Sequence, residues 1–286
     1  MTRSALPRAS RLRGATVCIT GAARGLGRLL ALGAATRGAR AVVLWDLDGD
    51  ALAATAAEVA RLGARPVAAV VDISDADAVA AAAEAAIAEC GGVDVLVHNA
   101  GVVTGKRLLD TTDAEVRRTF EVNALALYPV TRAFLPDMLE RDRGLVVTIA
   151  SAAGIVGVAQ QTDYSASKHA AVGFTESLRG ELRSMGSRVS TLVVCPYYVA
   201  TGMFSGVTTR SSLLLPIQSP KRVAVQIVKA IERGRGRLLT PWFVHSVHWA
   251  RLVPQGLADR LLDLFGINEG MRGFVGRRQG ARSSGG

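Results

Sequence analysis

The sequence predicts an α/β protein with one doubly wound parallel sheet and helices on both faces. Short β-branched runs alternate six times with longer Ala- and Leu-rich stretches along the 286 residues. The runs are almost continuously apolar, as strands need to be when helices cover both faces of their sheet. Alternation of this kind is typical of parallel strands joined by right-handed helical crossovers.

The predicted elements follow one another without a repeat or an internal linker. Strands are predicted at 15–20, 41–45, 66–71, 93–98, 145–150 and 189–194. Helices are predicted at 26–37, 49–62, 75–89, 113–140, 163–184 and 220–233. We expect a disordered basic N-terminal tail at 1–13 and one main domain at 14–240. An amphipathic helical extension of that domain is expected at 241–268, and a flexible basic C-terminal tail at 269–286.

Most of the excess positive charge lies in the two tails. The chain has 34 Lys and Arg against 24 Asp and Glu, a net charge of +10. Residues 1–13 and 271–286 together contain eight arginines and no acidic residue, so the body is nearly neutral. Such tails usually aid solubility or meet an anionic surface, so we expect no nucleic-acid partner.

The cysteines and the uncharged windows exclude further classes. The three cysteines are far apart: Cys18, Cys90 and Cys195. They form neither a disulfide framework nor a zinc cluster, and they predict a reducing, cytoplasmic compartment. Gly, Ser and Thr interrupt the uncharged windows 144–162 and 189–209, so neither is expected to span a membrane.

A glycine-rich turn follows the first predicted strand. It reads Thr20-Gly21-Ala22-Ala23-Arg24-Gly25-Leu26-Gly27. Glycines here permit close backbone approach, so that a pyrophosphate can meet the helix N-terminus. Asp46 ends the second strand nineteen residues later, where a carboxylate accepts hydrogen bonds from ribose hydroxyls. The turn therefore predicts a dinucleotide site.

A serine, a tyrosine and a lysine predict redox chemistry at a carbon–oxygen bond. Tyr164 and Lys168 lie four residues apart on one predicted helix face, and Ser151 ends the fifth strand. A free phenol has a pKa of about 10, and we expect the Lys168 ammonium, with the positive ring of a bound nicotinamide, to lower it. Tyr164 can then exchange a hydroxyl proton as hydride moves, while Ser151 hydrogen-bonds the reacting oxygen.

The TGxxxGxG spacing of the turn resembles that of the short-chain dehydrogenase/reductase family, which has a Rossmann-type fold. Asn99-Ala100-Gly101 resembles its NAG turn, and Asp72-Ile73 resembles its adenine-contacting pair. The resemblance covers about residues 14–235. It implies that Lys168 also holds the nicotinamide ribose and that Asn123 positions a water molecule in a proton relay.

Two residues favour different cofactors. Asp46 is the acid typical of NAD enzymes, whereas Arg24 stands where NADP-preferring family members often have a base. An unpaired carboxylate facing a 2′-phosphate is costly, so NAD is the expected cofactor and NADP the alternative. The expected cofactor contacts are Gly21, Arg24, Gly25, Leu26, Gly27, Asp46, Asp72, Ile73, Asn99, Ala100, Gly101, Tyr164, Lys168, Pro196, Val199 and Thr201. Within this set the chain departs from the family next to Pro196, because Tyr197 stands where most of the family has glycine.

PYYVATGMF after the sixth strand, together with VVLWD at the second, resembles the retinol and 17β-hydroxysteroid dehydrogenase branch. That resemblance implies a lipophilic alcohol or carbonyl substrate that is retinoid-, steroid- or long-chain-like. The following segment, 213–217, is expected to be a mobile lid or a packed loop. We also expect a homodimer or homotetramer.

Residues 242–265 form an amphipathic stretch with a polar stripe of His245, His248 and Arg251. Two of the three tryptophans fall here, beside a basic tail, which is typical of a peripheral membrane contact. A helix pair packed over the substrate pocket or a neighbouring subunit is the alternative. The two histidines lack a third ligand, so no metal is expected.

Taken together, the motifs predict an NAD(P)-dependent oxidoreductase with Tyr164 as general acid/base, assisted by Asn123, Ser151 and Lys168. The alternatives are an NADPH-dependent carbonyl reductase of the same fold and a non-catalytic cofactor-binding or membrane-surface protein. The complete set of four residues argues against a non-catalytic protein.

Overall fold

A seven-stranded parallel sheet forms the centre of the protein, with the strand order β3-β2-β1-β4-β5-β6-β7. The computed structural model describes residues 11–208, 216–244, 254–257, 260, 270–271 and 273–276. The strands are β1 (Thr16–Thr20), β2 (Ala41–Asp46), β3 (Arg65–Val70), β4 (Val95–His98), β5 (Leu145–Ile149), β6 (Ser190–Pro196) and β7 (Arg237–Thr240). From β1 the chain adds β2 and β3 on one side of the sheet, and then β4 to β7 on the other side. Ligands of such sheets bind where the strand order reverses, here between β1 and β4.

Helices cover both faces of the sheet, which confirms the predicted fold class. They are α1 (Gly25–Thr36), α2 (Gly49–Arg61), α3 (Ala76–Cys90), α4 (Asp113–Phe120), α5 (Leu127–Glu140), α6 (Thr162–Ser184) and α7 (Pro220–Glu232). Apolar residues of α1, α2 and α7 pack in one core, and those of α3, α5 and α6 pack in another. Each sheet face therefore has its own buried layer.

Three elements differ from the sequence expectation. The single helix predicted at 113–140 is divided into α4 and α5 by a π-helical turn, Glu121–Leu125. Strand β7 was not predicted, because its sequence RLLT is short and begins with a charge. Strand β3 was expected to be buried, yet Val70 is 65% exposed, because β3 is an edge strand and helices cover it incompletely.

All three cysteines are buried, and none of them forms a disulfide bond. Among the helices that the structure describes, none combines the length and apolar composition needed to cross a bilayer. Some expectations lie outside the described residues. They concern most of the N-terminal tail (residues 1–10), most of the lid at 213–217 and most of the amphipathic stretch at 242–265.

Candidate active site

One cleft at the carboxyl ends of the strands brings together most of the predicted site residues. Its cavity volume is about 260 Å³. Its lining includes all of the expected cofactor contacts except Gly27, and it also includes Ser151. Gly27 and Asn123 do not line the cleft, but each contacts residues that do. The cleft lies across the switch point between β1 and β4.

The glycine turn forms a cradle that a larger side chain would fill. Gly21 and Gly25 have positive φ angles of +67° and +56°, which favour glycine. A Cβ atom on Gly27 would lie 2.0 Å from the Gly21 carbonyl oxygen and 2.5 Å from Asn99 Nδ2. Asn99 Nδ2 in turn donates to the carbonyl oxygens of Thr20 (2.9 Å) and Gly21 (3.0 Å). The turn therefore fits the pyrophosphate of a dinucleotide at the start of α1.

Asp46 lies at the end of β2 and is held by backbone donors. Its Oδ2 accepts from the Ala23 amide at 2.9 Å, and its Oδ1 accepts from the Asp48 amide at 3.1 Å. Arg24, the residue that favours NADP, forms an ion pair with Asp48. The base at the turn thus already has an acidic partner beside the cleft.

Asp72 is held at the far end of the cleft by a serine and an arginine. Its Oδ1 accepts from the Ser74 amide (2.9 Å) and hydroxyl (2.6 Å), and its Oδ2 accepts from Arg118 at 3.3 Å. Partial burial alone would raise the pKa of the Asp72 carboxyl, but the Ser74 hydrogen bonds and the Arg118 cation bring it below its ordinary value. Asp72 therefore stays anionic.

Several residues of the cleft were not predicted from the sequence. They are Trp45, Leu47, Val71, Val102, Arg118, Val122, Ile149, Ala150, Met203 and Phe204. Arg118 is the polar exception among these mostly apolar residues. Its position on a predicted helix could be read from the sequence, but its contact with Asp72, 46 residues away, could not.

Tyr164, Ser151 and Lys168 meet on one side of the cleft. The Ser151 hydroxyl hydrogen-bonds the Tyr164 oxygen, and Lys168 Nζ lies 5.7 Å from the centre of the Tyr164 ring. Burial raises the pKa of the Tyr164 phenol, and the bond from Ser151 offsets only part of this. Burial is the largest of the causes that act on this phenol, and the expected lowering of its pKa by Lys168 together with a bound nicotinamide stays a prediction.

Lys168 is buried and bonds to the backbone of β5. Its Nζ donates to the Ile149 carbonyl oxygen at 2.9 Å, and burial lowers its pKa to about 8. A Cβ atom on Gly101 would lie 3.5 Å from this Nζ and 3.2 Å from Asn123 Oδ1. A side chain at this position would therefore narrow this corner of the cleft.

Asn123 lies in the π-helical turn between α4 and α5 and pairs with the loop after β4. Its Oδ1 accepts from the Val102 amide, and its Nδ2 donates to the Val102 carbonyl oxygen, both at 2.9 Å. Nδ2 also bonds Ser167 Oγ of α6 at 3.1 Å. The side chain thus joins the loop to the helix that presents Tyr164 and Lys168.

The other side of Tyr164 is aromatic and apolar. Phe204 meets the Tyr164 ring edge-on with centroids 5.8 Å apart, and Tyr198 meets Phe204 at 5.1 Å. Tyr197, the departure from the family's glycine, lines the cleft. This wall is therefore suited to an apolar group.

The described part of the C-terminal segment packs against this wall. Met271 is buried with Tyr198, and Val275 N donates to the Ser205 carbonyl oxygen at 2.9 Å. A side chain at Gly105 would collide with the Phe274 ring. Met271 and Phe274 thus pack against the aromatic wall, whereas Val275 is 66% exposed.

The family model for short chain dehydrogenases matches residues 15–211. The chain belongs to the short-chain dehydrogenase family. It is accordingly an oxidoreductase, and its relatives confirm the branch that the sequence resembles. Human epidermal retinol dehydrogenase 2 is 39% identical over 93% of this chain and 87% of its own length. Estradiol 17-beta-dehydrogenase 11 from Macaca fascicularis is 38% identical over 87% of this chain and 81% of its own length.

Solved structures of short-chain dehydrogenases share the fold of this chain. A Burkholderia phymatum enzyme in complex with NAD has a TM-score of 0.77 and 30% identity, over 85% of this chain and 94% of its own. A metagenomic short-chain oxidoreductase in complex with NADP has a TM-score of 0.68 and 32% identity, over 81% of this chain and 98% of its own. These neighbours support a nicotinamide cofactor but do not distinguish NAD from NADP.

Proposed function

We propose that this short-chain dehydrogenase transfers hydride between NAD and a lipophilic alcohol or carbonyl compound, with Tyr164 as general acid/base. One observation carries the proposal. The Tyr164 oxygen, bonded by Ser151 and near Lys168, lines the same cleft as the glycine turn. A proton-exchanging group and a dinucleotide cradle in one cleft are what alcohol oxidation and carbonyl reduction require.

The proposed chemistry divides between hydride and proton. When bound, a nicotinamide dinucleotide supplies or accepts the hydride. In reduction, Tyr164 donates its proton to the developing alkoxide, and its raised pKa keeps that proton available at neutral pH. In oxidation Tyr164 accepts the proton, with the Lys168 ammonium nearby to stabilise the phenolate. Ser151 holds the reacting oxygen in both directions.

Proton exchange with solvent is assigned to Lys168 and Asn123. Burial lowers the pKa of Lys168 to about 8, so near neutral pH its ammonium can release and regain a proton. Asn123 Oδ1 and Lys168 Nζ both lie beside Gly101, within 3.5 Å of the position that a Cβ atom there would take. We propose that Asn123 positions a water molecule there, as the family resemblance implies. Lys168 additionally holds the nicotinamide ribose.

The proposed preference for NAD rests on Asp46 and Arg24. The Asp46 carboxylate faces the cleft and would accept hydrogen bonds from the adenosine ribose hydroxyls, whereas it would repel a 2′-phosphate. Arg24 is engaged by Asp48, so the charge that would attract that phosphate is already balanced. An NADPH-dependent carbonyl reductase remains the alternative if Arg24 exchanges partners.

The proposed substrate class rests on the wall around Phe204 and on the relatives. Tyr197, Met203 and Phe204 line the cleft beside Tyr164 and would contact the part of the substrate that extends from the reacting oxygen. The curated relatives are named for retinol and estradiol, which are both lipophilic alcohols. We propose a retinoid, a steroid or a long-chain alcohol, or the matching carbonyl compound.

A cofactor and substrate screen tests this function. Absorbance at 340 nm would be followed with NAD and NADP against retinoid, steroid and long-chain alcohols, and with NADH and NADPH against their carbonyl forms. We expect turnover of one lipophilic class, with a higher kcat/KM for NAD. Binding of NADH without turnover of any lipophilic or short-chain alcohol would favour the non-catalytic alternative.

We further propose that residues 242–265 contact a membrane surface. Trp242 is 81% exposed and Leu257 is exposed, which leaves apolar surface at the described ends of this stretch. Trp242→Ala should reduce flotation with anionic liposomes, while the exposed Leu62→Ala serves as a control far along the chain. Full-length protein that ignores the liposomes at low salt would contradict this contact.

A homodimer or homotetramer is proposed as the assembled form. Leu125 and Tyr128 are 56% and 46% exposed at the junction of the π-helical turn and α5, where a second copy could cover them. Light scattering should give a multiple of the 29.9 kDa chain mass, and Leu125→Asp should reduce it. A monomer at micromolar concentration would contradict the assembly.

A further inference from the structure

Asp163, the residue before Tyr164, is a buried carboxylate that joins three segments. It is only 4% exposed. Its Oδ2 accepts from the Thr104 hydroxyl at 2.5 Å and from the Thr119 hydroxyl at 2.8 Å. Thr104 belongs to the loop after β4, Thr119 to the last turn of α4, and Asp163 to the first turn of α6. One carboxylate oxygen thus connects the loop and both helices.

A second junction, about one helical turn further along α6, connects the same loop and α6 with the π-helical turn that follows α4. There Asn123 Nδ2 bonds Ser167 Oγ, while Asn123 also pairs with both backbone groups of Val102. The two junctions match in sequence spacing, because Asp163 and Ser167 are four residues apart and so are Thr119 and Asn123. On α6 this spacing places Asp163 and Ser167 on one side of the helix.

The two junctions flank the residues that the proposed chemistry uses. Tyr164 follows Asp163 directly, and Lys168 follows Ser167 directly. Core packing holds α6 as a whole, and the two hydrogen-bonded contacts a turn apart fix the position of its first two turns against the loop. The position of the Tyr164 oxygen against Ser151 therefore depends on both junctions.

The negative charge of Asp163 is placed where the fold can accommodate it. Asp163 is the second residue of the 23-residue helix α6, and the N-terminal end of a helix stabilises an anion. Two hydroxyl donors satisfy the buried oxygen, which avoids the cost of an unpaired charge in the interior. The two hydroxyls also lie 3.2 Å from each other, so Asp163, Thr104 and Thr119 form one polar cluster.

We propose that Asp163, through Thr104 and Thr119, is a positioning residue that fixes Tyr164 for proton exchange; this rests on the function proposed above. Asp163 touches neither substrate nor cofactor in this assignment. It acts by holding α6 in register with the loop and with the Asn123 segment.

The test compares variants that remove or keep one hydroxyl or one acceptor. Thr104→Val and Thr119→Val each remove a donor with little change of shape, and Thr104→Ser restores the donor. Asp163→Ala removes the acceptor, and Asp163→Asn keeps one carbonyl oxygen for both hydroxyls. Thr175→Val is the matched control, because Thr175 is as buried as Thr119 and, among the described residues, donates to the Ala171 carbonyl oxygen of its own helix and not to another segment.

For each purified variant we would measure the NADH Kd, kcat and KM, and the pH profile of kcat. Thr104→Val and Asp163→Ala should lower kcat by about 10- to 100-fold, the effect of a small misplacement of a reacting group. NADH Kd should stay within twofold of the parent. The tyrosine limb of the pH profile should move to higher pH, because a displaced phenol loses the Ser151 bond that lowers its pKa. Thr104→Ser and Asp163→Asn should recover most of the lost kcat.

The proposal is overturned if Thr104→Val and Asp163→Ala keep the kcat and pH profile of the parent, as Thr175→Val should. It is also overturned if they lose stability alone, with kcat per folded molecule unchanged. Should Asp163→Ala fail to fold, the two threonine variants decide in the same way. A parent without any turnover would instead contradict the proposed function.

Discussion

Replacement of Lys168 by methionine should make the protein more stable while abolishing its activity. Lys168 is buried, and its Nζ donates a hydrogen bond to the Ile149 carbonyl oxygen. Burial lowers its pKa from 10.5 to about 8, a difference that corresponds to about 3 kcal/mol. At pH 7 lysine is cationic in both states, but the folded state holds the proton less tightly, so this amount is subtracted from the free energy of unfolding.

The sign of this effect predicts its pH dependence. As the pH rises from 8 to 10.5, the folded lysine is already neutral while the unfolded lysine loses its proton, so the penalty disappears. Lys168→Met removes the penalty and loses a hydrogen bond worth about 1 kcal/mol. We therefore expect the variant to be about 2 kcal/mol more stable than the parent at pH 7 and about equal to it at pH 10.

Urea denaturation without cofactor, at pH 7 and pH 10, measures the difference. Lys229→Met, at an exposed position of α7, is the control and should show no such pH-dependent gain. A Lys168→Met protein that is less stable than the parent at pH 7, or that keeps the same advantage at both pH values, would refute the reasoning. Retained turnover would refute the assigned role of Lys168.

Three further predictions concern the cofactor cleft and the core. Gly27→Ala should abolish NADH binding in a folded protein, because its Cβ would lie 2.0 Å from the Gly21 carbonyl oxygen; calorimetric titration that finds parental affinity would contradict this. Asp46→Ser should weaken NAD binding by about 1–3 kcal/mol and strengthen NADP binding, and adding Arg24→Ala should remove most of the gain in NADP binding. Measurement of kcat/KM for both cofactors checks this, and a parent that already prefers NADP would contradict it. Burial lowers the pKa of His98 to about 3, so the unfolded state takes up a proton that the folded state refuses, and the parent should lose about 2 kcal/mol of stability between pH 7.5 and 5.0. His98→Gln should remove that loss in urea denaturation while His169→Gln should not, and an unchanged pH slope in His98→Gln would rule out His98 as its source.

The elements that could be predicted from the sequence are those with a strong local pattern. The buried strands β1, β2, β4, β5 and β6 have continuous apolar runs, and parallel strands place their carboxyl ends at one edge of the sheet. The glycine turn and Tyr164 therefore had to lie near one another. Strand β7 has no such run, and its pairing with β6 supplies the stability that its sequence alone does not show.

The features that could not be predicted depend on contacts between distant residues. Arg118 meets Asp72, and Asp163 meets Thr104 and Thr119, across 44 to 59 residues. The ion pair between Arg24 and Asp48 depends in the same way on how the turn places the two side chains. The raised pKa of Tyr164 likewise depends on how many atoms surround it, which a spacing of four residues does not show.

The most direct test of the proposed function is the turnover of Tyr164→Phe. Phenylalanine keeps the ring and its edge-on contact with Phe204 but lacks the oxygen that Ser151 bonds. With the best substrate from the screen, hydride transfer would be followed at 340 nm, and NADH affinity would be measured in parallel. We predict that kcat falls by about 10²- to 10⁴-fold, the usual contribution of a general acid/base, while NADH affinity stays near the parental value. A folded Tyr164→Phe enzyme with more than a tenth of the parental kcat would contradict the account.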